Sequence, residues 1–160
     1  MPEITESITI NRPVTEVFRT VADMNRASEW QPDVSESSMS DEKMRVGIIL
    51  SQTRSTHVLG WRLDLNADVL EYTPNRLIEL QGVLGRFPAT VRYTFESRGG
   101  ATAVTETVQT RPGCLYAPVG PLLSSAVRGR TRRALEGLKE KLETRGGTGQ
   151  VTNFQNLPDE

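Results

Sequence analysis

At 160 residues the chain is long enough for one domain with a real core, and its formal net charge of −1 gives no reason to expect nucleic acid or an anionic membrane as a partner. One cysteine, Cys114, and one histidine, His57, exclude an internal disulfide, a thiolate zinc cluster and a multi-histidine site within one chain, so no metal and no cofactor are expected. The sequence has no apolar run suited to an integral membrane contact, and its start, MPEITESITINRP, lacks a signal-peptide pattern; together with the lone thiol this makes a cytoplasmic protein the expectation.

Residues 4–10, ITESITI, alternate Ile4, Glu6, Ile8 and Ile10 against Thr5, Ser7 and Thr9, which predicts a strand. Pro13 suits the first turn of a following helix, where its missing N–H costs nothing. Val14, Val17, Phe18 and Val21 give that helix an apolar face. Asp23 and Asn25 break the pattern, a second short helix runs to about Trp30, and Pro32 stops it.

From residue 33 to 111 the period is two. VSESSMS (34–40) is a polar, exposed or edge strand, and VGIILSQTRSTHV (46–58) is a longer one. In WRLDLNADVLEY (61–72), Trp61, Leu63, Leu65, Ala67 and Val69 face one way and Arg62, Asp64, Asn66 and Asp68 the other. The turn YTPNR leads to the strand LIELQGVL (77–84). ATVRYTFE (89–96) then puts Ala89, Val91, Tyr93 and Phe95 on one face. RGG turns the chain into a last strand, ATAVTETVQT (101–110). The strands are therefore antiparallel, with one wet face and one dry face.

Only the C-terminal helix is long enough to cover the dry face. Its rear half carries a stripe of Val127, Thr131, Ala134, Leu135, Leu138 and Leu142. It ends near Glu143, where Arg145-Gly146-Gly147 reads as a stop. The expected organisation is a domain over 1–145 and a polar, Gly-rich tail over 146–160, in which Val151, Phe154 and Leu157 are available to dock. The front half, GCLYAPVGPLLSSA, is apolar, poor in charge and interrupted by Gly120 and Pro121.

Three stretches carry a family resemblance: PVTEVFRTVADMNRASEWQPDV, WRLDLNADVLEYTPNRLIELQGVLGRFPATVRYTFES and PGCLYAPVGPLLSSAVRGRTRRALEGLKEKLE. Over about residues 3–143 the chain resembles the polyketide cyclase/dehydrase and lipid-transport family, in the superfamily of StAR-related lipid-transfer and birch-pollen-allergen-like proteins. The resemblance implies an α+β helix-grip fold, a curved antiparallel sheet around a long C-terminal helix with a cavity between them. Leu115, Val119, Leu122, Leu123 and Ala126 would roof that cavity, with Gly120, Ser124 and Ser125 leaving room. The alternative is that the same residues fill a solid core.

Trp61, Leu63, Val91 and Tyr93 stand on inward faces and are candidates for the cavity wall, the Tyr93 hydroxyl orienting a polar ligand group. As core residues they would occupy the same face. Gln52 and Arg54 share a face with Ile48 and Leu50. Inward, they are buried polar groups that a ligand can satisfy; shifted by a bulge, they face solvent. Trp30 reads as an anchor for the short helices and His57 as a solvated loop residue. Arg128, Arg130, Arg132 and Arg133 read as a solvated face supported by Glu136, Glu140 and Glu143, except that Arg130 lies near the apolar stripe and could reach inward. No nucleophile–base–orienter set is visible, and no phosphate loop.

Three functions follow. The first is a binder of a small hydrophobic or amphipathic molecule, for transport or sequestration. The second is a cyclase/aromatase-type enzyme using the same pocket, with Tyr93, Arg54 or Arg130 as acid/base. The third is an accessory interaction protein with a filled cavity. A homodimer is compatible with all three.

Overall fold

The computed structural model describes residues 3–55, 62–85, 87–110 and 120–156, of which 55, 62–63, 120–124 and 145–156 are described as backbone. The alternation of ITESITI produces strand β1 (Glu3–Ile10). Helix α1 (Val14–Ala22) buries Val17, Phe18 and Val21, and a 3-10 helix (Met24–Glu29) buries Met24 and Ala27. Pro13 is the N-cap of α1, one position before the first turn, with extended backbone at ψ 149°.

The remaining strands are β2 (Val34–Met39), β3 (Ile49–Ser55), β4 (Arg62–Thr73), β5 (Leu77–Leu84), β6 (Phe87–Arg98) and β7 (Ala101–Thr110). They form one seven-stranded sheet in the order β1-β7-β6-β5-β4-β3-β2, each neighbour antiparallel. Thus the first strand joins the last, and α1 with the 3-10 helix carries the chain from one sheet edge to the other. β3 starts later than residue 46, because Gly47 at φ +92° belongs to a turn. Of the two alternatives left open for β3, the regular register holds; register shifts fall at Val34/Glu36 in β2 and Val69/Glu71 in β4, where they bend the strands.

Helix α2 (Gly120–Asn156) covers the dry face. Gly120 and Pro121 open it, a place where proline is tolerated. The stop expected at Gly146-Gly147 is not its end: the helix continues through both glycines, which weaken a helix without blocking its hydrogen bonds as proline does. Ala134, Leu135, Leu138 and Leu142 are buried in one core with Ile10, Phe95 and Val104. Phe18 closes that end, edge-on to Phe95 and Tyr72 at centroid distances of 5.0 and 5.5 Å.

Polar contacts fix the direction of α2 along β1. The Asn11 N–H donates to Glu143 Oε2 at 2.8 Å, and Lys139 Nζ donates to the Thr9 carbonyl at 2.7 Å. Arg128 and Arg132 both reach Glu6, each at 3.1 Å. The rear of the helix therefore lies over the Ile10 end of β1, and its front extends past Glu6 toward Glu3. The two exposed arginines use Glu6 of the sheet, in place of the Glu136 and Glu140 partners expected along their own helix. Among the described residues no helix is long and apolar enough to cross a membrane.

Trp30 is buried, and its carbonyl lies close to α2 at Gly137, so it ties the short helices to the long one, while the Met39 N–H donates to Asn25 Oδ1 at 2.8 Å and ties the 3-10 helix to the edge strand β2. A Cβ at Gly137 would sit 2.2 Å from the Trp30 carbonyl oxygen. At Gly129 the nearest group is the flexible tip of Arg133, 3.3 Å away. Alanine for glycine inside a helix ordinarily stabilises by about 1 kcal/mol. Gly129→Ala should follow that rule, whereas Gly137→Ala should destabilise by about 1–3 kcal/mol through overpacking. Urea denaturation of the two variants makes the comparison, and equal stabilisation by both would contradict this docking of α2.

Candidate functional site

The alternation that builds β6 and β7 also brings polar groups inside. From β7, Thr102, Val104, Glu106, Val108 and Thr110 point inward and are buried. From β6, Ala89, Val91, Tyr93 and Phe95 do the same. Tyr93 and Glu106 are direct cross-strand partners, and Glu6 of β1 is the partner of Glu106 on its other side. In β3 the inward parity is Leu50, Gln52 and Arg54, all buried, so the open question of their direction has the inward answer.

The segment entering β2 adds two more. The Gln31 N–H bonds the Ala27 carbonyl at 2.9 Å, and the Val34 N–H bonds the Gln31 carbonyl at 3.1 Å. This tight path around Pro32 leaves Gln31 and Asp33 buried. Arg130, on α2, meets them both: Nε donates to Asp33 Oδ2 at 2.7 Å and Nη2 donates to Gln31 Oε1. Its third contact is looser, with Nη1 3.5 Å from Glu106 Oε2, an ion pair beyond normal hydrogen-bond length. Arg54 donates from Nε and Nη2 to the neutral Gln52 Oε1, at 3.2 and 2.7 Å. Gln52 Nε2 donates to Ser37 Oγ at 3.1 Å.

This cluster is incompletely bonded. Gln31 Nε2, Asp33 Oδ1, both Glu106 oxygens, Arg130 Nη1 and Thr131 Oγ1 are buried without a hydrogen-bond partner. Bare buried polar atoms are costly, and several together mark a place where water or a ligand completes the bonding. Burial raises the Glu106 carboxyl above its ordinary range, against the pull of Arg130 and then Arg54. Burial, and next the Glu106 carboxylate, raise the Tyr93 phenol. Burial and the nearby Arg130 bring Arg54 down to about 10. Burial opposes the charge of Arg130, but Asp33 and then Glu106 outweigh it and hold that guanidinium above its ordinary value. Chemically, the cluster offers guanidinium donors, a phenol, and a carboxyl poised to hold a proton.

Its location divides the molecule. On one side of the Tyr93–Glu106 pair come Phe95 and Val104, under the leucine stripe of α2. On the other come Val91 and Val108, toward the helix front.

Of the residues singled out from sequence, Val91, Tyr93, Gln52, Arg54 and Arg130 are buried or nearly so, and Ala126 is half-buried on α2. Arg130 departs from the solvated basic face to which its neighbours Arg128 and Arg132 belong. Leu63 is the register partner of Arg54, while Leu122 and Leu123 lie in the first turns of α2. Trp61, Leu115, Val119, His57 and Cys114 lie outside the described residues. Three cluster members escaped sequence reasoning. Glu106 had a signal, an acid in phase with Val104 and Val108 in ATAVTETVQT. Gln31 and Asp33 flank a proline and have no periodicity to betray them.

A curled antiparallel sheet closed on one long C-terminal helix, with its polar groups buried beneath that helix, defines the START-like helix-grip class. Within that class, the chain belongs to the family of polyketide cyclase / dehydrase and lipid transport proteins, whose sequence profile matches residues 1–143. Protein TTHA0849 from Thermus thermophilus has a similar structure, with a TM-score of 0.77 at 15% identity, covering 90% of this chain and 99% of its own. The Zhui aromatase/cyclase from a Streptomyces species gives 0.73 at 13% identity, covering 90% and 94%. A START superfamily protein from Mycobacterium smegmatis gives 0.72 at 11% identity, covering 89% and 97%. At these identities the likeness is one of fold. No curated protein matches the chain in sequence.

The raised Glu106 has a consequence for stability. In the window between the ordinary carboxyl value of 4.5 and its higher folded value, the folded state binds more protons than the unfolded one. Stability contributed at this site is therefore full below about 4.5 and is lost as pH rises through the folded value. The stability difference between the wild type and Glu106→Gln should accordingly move in favour of the variant across that window. Denaturation of both proteins from acid to neutral pH measures the difference, and a pH-independent gap would mean that Glu106 titrates normally.

Proposed function

We propose that this chain binds a small hydrophobic or amphipathic molecule between the curled sheet and the front half of α2, and carries or sequesters it. The observation that supports this best is the buried, incompletely bonded cluster of Arg54, Glu106, Arg130, Asp33 and Gln31 on the otherwise apolar inner face. A protein selected only for a solid core gains nothing from such groups, because apolar residues of the same volume would be as stable or more so. A ligand site needs an apolar wall with a few convergent polar anchors, and this face has both. Val91 and Tyr93 serve as wall, and the alternation of WRLDLNADVLEY makes Trp61 and Leu63 the sequence's candidates to continue it. Ala126, half-buried on α2, serves as roof, and the family resemblance makes Leu115, Val119, Leu122 and Leu123 the candidates to extend it. Membership of a family described by lipid transport and cyclase chemistry agrees with a ligand of this kind. A cytoplasmic site of action, suited to a single thiol, is part of the same proposal.

One observation favours catalysis as a second reading. Glu106 is a buried carboxyl with a raised pKa, directly across from the Tyr93 phenol. A carboxyl shifted toward neutrality is suited to move a proton in an enolisation or dehydration, the kind of step a cyclase or aromatase requires.

Titration with an environment-sensitive fluorophore, displaced by fatty acids and by polyaromatic compounds, tests the binding reading. Saturable binding to one class is the expected result; none across the panel would favour the filled-core, accessory alternative. Paired variants locate the site. Leu138→Ala should cost about 2–5 kcal/mol of stability, as for other buried leucines. Leu122→Ala should cost less than that and weaken ligand affinity more. Equal destabilisation with unchanged affinity would mean that the helix front is ordinary core.

A further inference from the structure

The charge count of the buried cluster bears on what kind of molecule it accepts. Glu106 is fully buried, and neither of its oxygens has a hydrogen bond. Arg130 already has a close carboxylate in Asp33, at 2.7 Å, and stands 3.5 Å from Glu106. Burial disfavours an ionised carboxylate in such a place more than Arg130, Arg54 and the Tyr93 hydroxyl favour it, so Glu106 holds its proton to higher pH than an ordinary carboxyl. The groups facing Glu106 are known from each element around it. Tyr93 comes from β6, Glu6 from β1, Arg130 from α2, Arg54 from β3, and Asp33 from the segment before β2. Glu6 has its own partners, Arg128 and Arg132, at the rim.

With Glu106 protonated, the cluster holds, among the described residues, two guanidiniums, Arg54 and Arg130, against one carboxylate, Asp33. The described hydrogen bonds of Arg54 go to Gln52, a neutral amide that cannot balance its charge. One positive charge is left over in a low-dielectric space, where it attracts an anion much more strongly than in water. We propose that this buried cluster selects amphiphiles bearing a single acidic head group, held by Arg54, and that their binding is coupled to protonation of Glu106. The acid head neutralises the surplus charge, and a second anion at Glu106 would undo that balance. This inference rests on the binding reading above and names the ligand class for the same site.

Linkage fixes the direction of the effect. If binding an anion draws a proton onto Glu106, affinity falls as pH rises, by up to about tenfold per pH unit where the free protein has Glu106 ionised. A ligand that stays ionised throughout isolates this from its own titration. Dodecanesulfonate is therefore the primary probe, with dodecanoate as the carboxylate and methyl dodecanoate as the neutral control. Their affinities are to be measured from about pH 5 to about pH 9 by displacement of the fluorophore, and proton uptake by calorimetry in buffers of different ionisation enthalpy.

In the wild type both anions should bind at least about tenfold more tightly than the ester at low pH, and dodecanesulfonate should weaken as pH rises, with proton uptake. Glu106→Gln should hold dodecanesulfonate at the acid-limit affinity across the range, with no uptake. Arg54→Gln should reduce the preference for anion over ester to near unity while still binding the ester. Melting curves of each variant establish that it is folded. Equal, pH-independent binding of ester and anions by the wild type would overturn the acidic-ligand inference alone. Absence of binding by all three probes and by the polyaromatic compounds would overturn the binding reading, and the inference with it.

Discussion

A seven-stranded sheet with one buried face has a single long helix to cover it, and everything else in this molecule follows from that constraint. A straight helix cannot follow a twisted, bent sheet along its whole length. Here the two meet closely at one end, where Leu135, Leu138 and Leu142 share one core with Ile10, Phe95 and Val104, and where Gly137 lets the Trp30 carbonyl approach the helix backbone. The contacts of Lys139, Glu143 and Lys141 to β1 and the 3-10 helix pin the same half from outside.

Between the two halves lies the polar cluster. Its geometry is unequal because of the chain path: Arg130 is well held by Asp33 and Gln31, which come from the same turn around Pro32, while its contact with Glu106 across the sheet is long. A buried ion pair between α2 and the entry to β2 is weak evidence for stability, since desolvation offsets much of the attraction. It does fix the position of a charged side chain to within hydrogen-bond tolerance, which a binding site requires. The unmet bonding capacity around it is what the proposed ligand would satisfy.

Glu6 and Glu106 illustrate how far neighbours decide chemistry. They are adjacent across β1 and β7, on the same face of the same sheet. Glu6 reaches the rim, and the hydrogen bond from Arg132, supported by Arg128, holds its carboxyl below the ordinary range despite some burial. Glu106 is one strand further in, and burial drives it upward. Two identical side chains on opposed positions are thus shifted in opposite directions, because hydrogen bonds from two arginines outweigh partial burial at Glu6 while full burial outweighs Arg130 and Arg54 at Glu106.

The sequence by itself determined the elements, because their signals are local. Period-two alternation in LIELQGVL and ATAVTETVQT fixes where β5 and β7 run, and the spacing of Ala134, Leu135, Leu138 and Leu142 fixes the buried stripe of α2. The three quoted family stretches extended that to the helix-grip architecture. Parity also placed Tyr93 and Val91 inside. What only the tertiary structure decided was which polar residues meet. Gln52 and Arg54 point inward because the bulges fall in β2 and β4 and leave β3 in phase. Arg130 is buried while Arg128 and Arg132 turn outward to Glu6, although all four arginines of RGRTRR look alike in a string of letters. Asp33, Arg54, Glu106 and Arg130 come from separated parts of the chain, and only the curl of the sheet around one helix assembles them. No local pattern records a contact of that kind, since its energy depends on the distance and dielectric between groups and not on their spacing in sequence.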